Sequence, residues 1–314
     1  MLNRRKNNGI QAALFSALCL GIAPIFGKQA LIHGYSPLSV VALRTSIAVL
    51  LLFLIMFVFK RSFFYIYPVG LMGCILAGFV NGIGSIFYYT ALNRLDAGIG
   101  HLLYSFYPVF VALWLLTDRQ PINRITLFRL MLAVPGMMTL VSTGNQRVDL
   151  LGAFFMLMSA VLYALHLLIN QRVLFEVPAQ TVTFYTLLSM AVTVTVAFIL
   201  FDRQMPPPMA PWWPVLGMAL FTFFSRLTLF MGVKNLGGLQ TALLGLGELL
   251  VTVFLAVVWL QESLSKAQWI GAFLLILSMI LVAFDKPTPF KRASTGWLSW
   301  INSPQVLPFK HPWQ

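Results

Sequence analysis

Long apolar runs alternate with short polar breaks along this chain, at about 10–32, 37–59, 67–92, 97–117, 124–142, 151–171, 179–201, 211–234, 238–260 and 268–284. Each run approaches the ~20 residues that a helix rising 1.5 Å per residue needs to cross the hydrocarbon core of a bilayer. The pattern predicts ten membrane-spanning helices joined by short loops, an all-α integral membrane fold. The first run follows Arg4, Arg5 and Lys6, but it is too long for a secretory leader and lacks a small-residue cleavage site, so it reads as a retained span.

Sliding the chain on itself by about 141 to 143 residues brings Ser16-Ala17 onto Ser159-Ala160, Leu92-Asn93-Arg94-Leu95 onto Val233-Lys234-Asn235-Leu236, and Leu140-Val141 onto Leu281-Val282. Ten runs then divide into five and five, and an odd number of spans per half turns the second half over relative to the first. The expected organisation is a short N-terminal segment (1–9), a first five-span repeat (10–145), a second (146–286) and a tail (287–314). Inverted repeats are the usual build of secondary carriers, whose halves exchange conformations around a midplane site.

Composition agrees with the pattern. Of 314 residues, 59% are apolar and 9% charged, against about 45–50% and about 25% in soluble domains. The net charge of +13 does not form a nucleic-acid patch. Its Lys and Arg lie mainly in short loops, where they set orientation. With both termini in the cytoplasm, Arg4, Arg5, Lys6, Lys60, Arg61, Arg119, Arg124, Arg129, Arg172, Lys234, Lys286, Lys291, Arg292 and Lys310 fall inside, and only Arg94, Arg147, Arg203 and Lys266 outside. That asymmetry predicts a multi-pass protein of the cell membrane with cytoplasmic termini. After Asp285 the chain turns basic, with Trp297, Trp300 and Trp313 among Pro and polar residues, a tail expected at the membrane surface or disordered rather than spanning.

Several local patterns resemble the drug/metabolite transporter superfamily, and within it the EamA-type ten-span permeases. Gly34-Tyr35-Ser36-Pro37-Leu38 running into Ala42-Leu43-Arg44 is similar to the family's second-span entry, and Tyr88-Tyr89-Thr90-Ala91-Leu92 to its third-span ending. Glu248 followed by Glu262 resembles the ninth span, although Leu249 stands where Pro is usual and Gln261 where Gly is usual. In the first half Tyr107-Pro108 keeps the Pro without the acid, and Pro121 takes the terminal acid's place. The resemblance implies a carrier of small metabolites, often an exporter of amino acids or related compounds.

One acidic residue, Glu248, falls deep inside a run, where an ionised side chain costs about 2.5 kcal/mol or more unless paired, hydrated or protonated. Arg226 is the deep cation, on the preceding span; Lys28 is near enough to an end to snorkel, and Arg44 lies between these cases. Three roles compete for Arg226 and Glu248: a structural ion pair, recognition of a substrate's carboxylate or phosphate and ammonium groups, and proton coupling through Glu248. Polar side chains recur at helical spacing: Asn81, Ser85 and Tyr88; His101, Tyr104 and Pro108; Ser159, Tyr163, His166 and Asn170; Thr241, Gly245, Glu248 and Thr252. Ser and Thr can serve as helix-to-helix stitching, whereas Asn81, Tyr88, Tyr104, Tyr163 and His166 join Arg226 and Glu248 as expected cavity residues. Pro24, Pro108 and Pro135, with the glycines at 70, 73, 78, 82 and 84, interrupt or loosen helical hydrogen bonding, either as hinges or simply as the Pro and Gly common in membrane helices.

Cys19 and Cys74 lie inside apolar runs, and no phosphate loop, zinc-ligand spacing or nucleophile elbow occurs, so neither cofactor nor metal is expected and the chain does not read as an enzyme. The expected function is gradient-driven transport of a small polar metabolite, an amino acid being the leading class, with protons as the coupling ion. A non-transporting receptor or assembly subunit, and a carrier of phosphorylated or hydrophobic compounds, are the alternatives.

Overall fold

The computed structural model describes residues 2–92, 94–95, 97–140, 149–202, 210–251, 254, 265–284 and 296–301. Thr252, Gln261, Glu262, Asp285 and the basic residues 286, 291, 292 and 310, all used in the sequence reading, lie outside them. The described chain is helical: α1 (Leu2–Ile32), α2 (Pro37–Phe59), α3 (Pro68–Leu92), α4 (Ala97–Tyr104), α5 (Tyr107–Thr117), α6 (Arg124–Leu140), α7 (Leu150–Leu174), α8 (Ala179–Phe201), α9 (Trp213–Leu236), α10 (Gly238–Gly245) and α11 (Lys266–Ile280). Short 3₁₀ turns occur at Arg61–Phe64, Leu281–Ala283 and Ser299–Ile301.

Helix starts follow the caps written in the sequence. Ser36 accepts a hydrogen bond from the Ser39 amide (3.1 Å) ahead of Pro37, Asp149 accepts from the Leu151 amide (3.0 Å), and Ser265 with Gln268 closes a reciprocal capping box before α11. Among the described residues, seven stretches are long and apolar enough to cross a membrane: Arg5–Ile32, Pro37–Phe59, Pro68–Leu92, Gly100–Thr117, Leu150–Leu174, Ala179–Phe201 and Trp213–Leu236. The runs expected as the fifth and tenth spans give the shorter α6 and α11, and the ninth is described through Val251 and at 254.

Two expected spans are not single helices. The fourth breaks at Ser105–Phe106, between α4 and α5; the ninth breaks at Leu246, after α10, with helical backbone returning at 247–251. Pro108 sits at the start of α5 and cannot donate to the carbonyl one turn back, which accounts for the first break. The two interruptions lie 141 positions apart along the chain (246 less 105).

Packing follows the same exchange. α1 lies along α9, and α7, its counterpart one repeat later, lies along α3; α6 packs on α11. Large apolar side chains such as Leu50, Phe53, Leu54, Phe57, Met72, Phe79 and Phe201 face outward. Ser16, Thr45, Ser159, Asn170 and Thr186 are buried, the arrangement expected when the solvent is lipid. Polar stitches cross the halves: Ser16 donates to the Ser225 carbonyl (2.9 Å) and Ser159 to the Gly84 carbonyl (2.7 Å). The α3–α8 seam is close enough that a β-carbon on Gly78 would collide with the Thr186 carbonyl.

The tail also departs from expectation. Residues 296–301 fold back onto the bundle, with Leu298 and Ile301 fully buried in the main core.

Candidate functional site

Both helix breaks sit beside one cluster of tyrosines. Tyr88 near the end of α3, Tyr104 at the end of α4, Tyr107 at the start of α5 and Tyr163 on α7 form a chain of ring contacts. Centroids are 5.0 Å apart for Tyr88–Tyr104, 5.7 Å for Tyr104–Tyr107, 5.6 Å for Tyr104–Tyr163 and 5.1 Å for Tyr107–Tyr163. The Tyr107 hydroxyl donates to the Ala242 carbonyl (3.0 Å), tying the broken fourth span to the broken ninth. A β-carbon on Gly245 would meet that same hydroxyl, so the small residue before the second break lets the phenol in.

The two deep charges enter this cluster from the second half. Arg226 on α9 places its guanidinium 5.4 Å from the centre of the Tyr163 ring, inside cation–π range. Glu248, beyond the α10 break, lies within electrostatic reach of Arg226 and of Tyr88, Tyr104, Tyr107 and Tyr163. Both are nearly enclosed, at 9% and 5% exposure. One Arg226 donor, Nη1, is buried without a hydrogen-bond partner, a guanidinium N–H still available to an anion. At the opposite end of the aromatic run, Arg44 on α2 lies 5.3 Å from the centre of the Tyr89 ring, which in turn contacts Tyr88 (5.2 Å).

Five of the expected residues, Arg226, Glu248, Tyr88, Tyr104 and Tyr163, are thus brought together. His166 stands at the margin: its ring contacts Tyr163 (5.8 Å) and Phe230 (5.7 Å), while Nδ1 donates to the Ala77 carbonyl (3.0 Å) on α3. Asn170, one turn on, accepts from Thr186 on α8 (2.9 Å), so this part of the α7 stripe stitches helices. Asn81 does not join the cluster. Its amide donates to the Met190 sulfur (3.0 Å) across the α3–α8 seam. Tyr107, Tyr89 and Arg44, named in the sequence but not among the expected cavity residues, are the additions. The signal for Tyr107 was its place immediately before Pro108, at the break.

A second polar region lies at the ends of α5, α7 and α9. A groove there is lined by Gln120, Asn123, Thr126, Gln171 and Gln240, with the Gly238 amide donating to Gln171 Oε1 (2.7 Å). Nearby, Asp118 and Arg172 form an ion pair at 2.5 Å with both side chains fully enclosed, and Gln120 donates to the same carboxylate (2.9 Å).

The EamA-like transporter family matches residues 7–142 and then, a second time, residues 150–284. The chain belongs to this family. As an EamA-like protein of the drug/metabolite transporter superfamily it is a multi-pass membrane transporter, and its two matches in tandem agree with the repeat read from the sequence. Its curated relatives include an uncharacterized transporter of Synechocystis, 27% identical over 72% of this chain and 68% of the relative, and an uncharacterized transporter, YcbK, of Bacillus subtilis, 23% identical over 82% and 87%. A solved crystal structure of 16% identity superposes with a TM-score of 0.72 over 88% of this chain and 97% of the other, which establishes the EamA-like protein's fold as one seen before.

Proposed function

We propose that this EamA-like protein is a secondary carrier of a small zwitterionic metabolite, an amino acid or a close relative, working as an exporter in the cell membrane with both termini in the cytoplasm. The single observation behind this reading is the convergence of one guanidinium, one carboxylate and four phenols on the paired helix breaks. Arg226 binds the substrate carboxylate through its available N–H, Glu248 faces the ammonium group, and the tyrosines bury the stem between them. When no substrate is bound, Glu248 takes a proton, so that binding and release exchange with proton movement.

In this scheme the ten spans form two inverted five-helix repeats, and the exchanged packing of α1 on α9 and α7 on α3 supports it. The tyrosine rings close on one another, so a ligand must part them. Parting Tyr104 from Tyr107 moves α4 and α5 relative to each other about the break at Ser105–Phe106, and the motion opens one side as it closes the other.

The test begins with thermal stability of the purified protein against amino acids, amines, nucleosides, sugars and phosphates. A ligand at 100 times its Kd adds about 2.7 kcal/mol. A zwitterion should stabilise the wild type and neither Arg226→Ala nor Glu248→Gln. In proteoliposomes containing this protein alone, the same compound should be moved by the wild type and dissipate a pH gradient, with both variants silent. Correctly folded variants that carry it at the wild-type rate refute the assignment.

A further inference from the structure

Beyond the tyrosine site, one cluster at the far end of α5 has no part in recognition. Asp118 caps α5 and is fully buried beside Arg172 of α7. Its other carboxylate oxygen, Oδ1, accepts a hydrogen bond from the Leu298 amide (3.3 Å), a contact between residues 180 positions apart. Around it, Trp297 lies against Trp114 of α5 (5.9 Å between ring centres), Leu298 and Ile301 are buried in the core, and Ile301 reaches Gly73 of α3.

Gly296 explains why the segment fits. Its φ of +112° is one that L side chains rarely adopt, and a β-carbon there would collide with Asp118 Oδ1 and approach the Asp118 carbonyl at 2.6 Å. The next residue after Asp118, Arg119, is the non-glycine residue with positive φ among those described, at +56°. Backbone of this kind persists where its surroundings over-determine it, and here a buried ion pair on one side and the returning tail on the other hold the turn.

We infer that residues 296–301 are a latch on the transport cycle: docked, they tie α3 to α5, which Asp118 already joins to Arg172 of α7, and keep this end of the carrier shut; released, they let α5 swing about its break. The inference rests on the carrier reading above for its meaning in transport, but the latch itself is a statement about which end is held closed. Asp118 is the coupling point, since it bonds the tail through Oδ1 and, through Oδ2, Gln120 on the rim of the groove. Gln240 lines that groove and is 2% exposed, so a cysteine in its place reports opening. The native Cys19 and Cys74 are buried and give little background.

The experiment measures the labelling rate of Gln240→Cys by N-ethylmaleimide in the full-length protein, alone and combined with Gly296→Ala or with Leu298→Asp. Either tail substitution should speed labelling roughly 5- to 30-fold, the effect of losing one to two kcal/mol of docking. Both proteins should still melt cooperatively, and a peptide of residues 294–303 added in excess should slow labelling of the Leu298→Asp protein again. Unchanged labelling in both variants, or faster labelling that the peptide does not reverse, overturns the latch. No substrate is needed, so failure of the amino-acid assignment would show in flux and leave this readout intact.

Discussion

At the residue scale, Asp118 and Arg172 show how a fully enclosed pair differs from a surface one. Removing one partner strands the other charge out of water, whereas replacing both leaves no buried charge and costs only the hydrogen bonds that the neutral Leu298 amide and Gln120 side chain donate to Asp118. Arg172→Met is expected to lower stability by about 3–5 kcal/mol, and the double variant with Asp118→Leu by distinctly less, in chemical unfolding of the detergent-solubilised protein. Sequence spacing did not reveal this pair. Both residues fell at span ends, where an exposed loop charge is the default, and the 54 positions between them carry no pairing signal. Asn81 misled in the opposite sense. It shares a helix face with Tyr88, but seven residues of helix separate them by about 10 Å along the axis, enough to put one against Met190 and the other in the tyrosine cluster. Arg226 and Glu248 were legible because charge at mid-depth has few alternatives to a protein interior.

Elements add constraints that single residues do not. Gly237 joins α9 to α10 with φ 94° and ψ 161°, a region open essentially to glycine, and no atom lies within 4 Å of where its β-carbon would be. Gly237→Ala should therefore cost about 1–3 kcal/mol through backbone strain alone, read as a lower unfolding midpoint with an unchanged slope. α7 is set by Asp149, whose carboxyl is held below its ordinary value of 3.8, first by the Leu151 amide and also by the Arg94 guanidinium at 3.3 Å. A group lowered on folding gives stability that is present above its unfolded pKa and lost as pH falls through the folded one. Melting temperature followed from about pH 6 down to about pH 3 should fall less steeply in Asp149→Ala than in the wild type. The break before α5 coincides with Pro108, whereas α1 and α6 run on through Pro24 and Pro135, so proline alone did not locate it. The break at Leu246 was not readable, because the glycines at 245 and 247 are equally the mark of close helix packing.

Across the whole molecule, hydropathy was enough to give an all-helical membrane bundle, since apolar runs of span length have little else to become. It could not give the docked tail, whose six residues are too few for a periodic signal and whose contacts are long in sequence. Nor could it say which helix meets which. The most extensive pairings found here cross the halves: α1 with α9, α3 with α7, α2 with α8, α6 with α11.

That crossing has a consequence for how the protein is made. As the ribosome delivers the first five segments, Ser16 awaits the Ser225 carbonyl and the Gly84 carbonyl awaits Ser159, partners not yet synthesised. The early half must wait in the bilayer with polar groups facing lipid, where membrane quality control removes unfinished chains. Residues 1–145 produced alone should be degraded within minutes to hours, and production of 146–314 alongside them should restore a stable complex, measured by pulse-chase. A first half that persists alone would show that the crossing seams form late and hold little. If the complex forms, the two halves are not modules joined by a linker but each other's missing solvent.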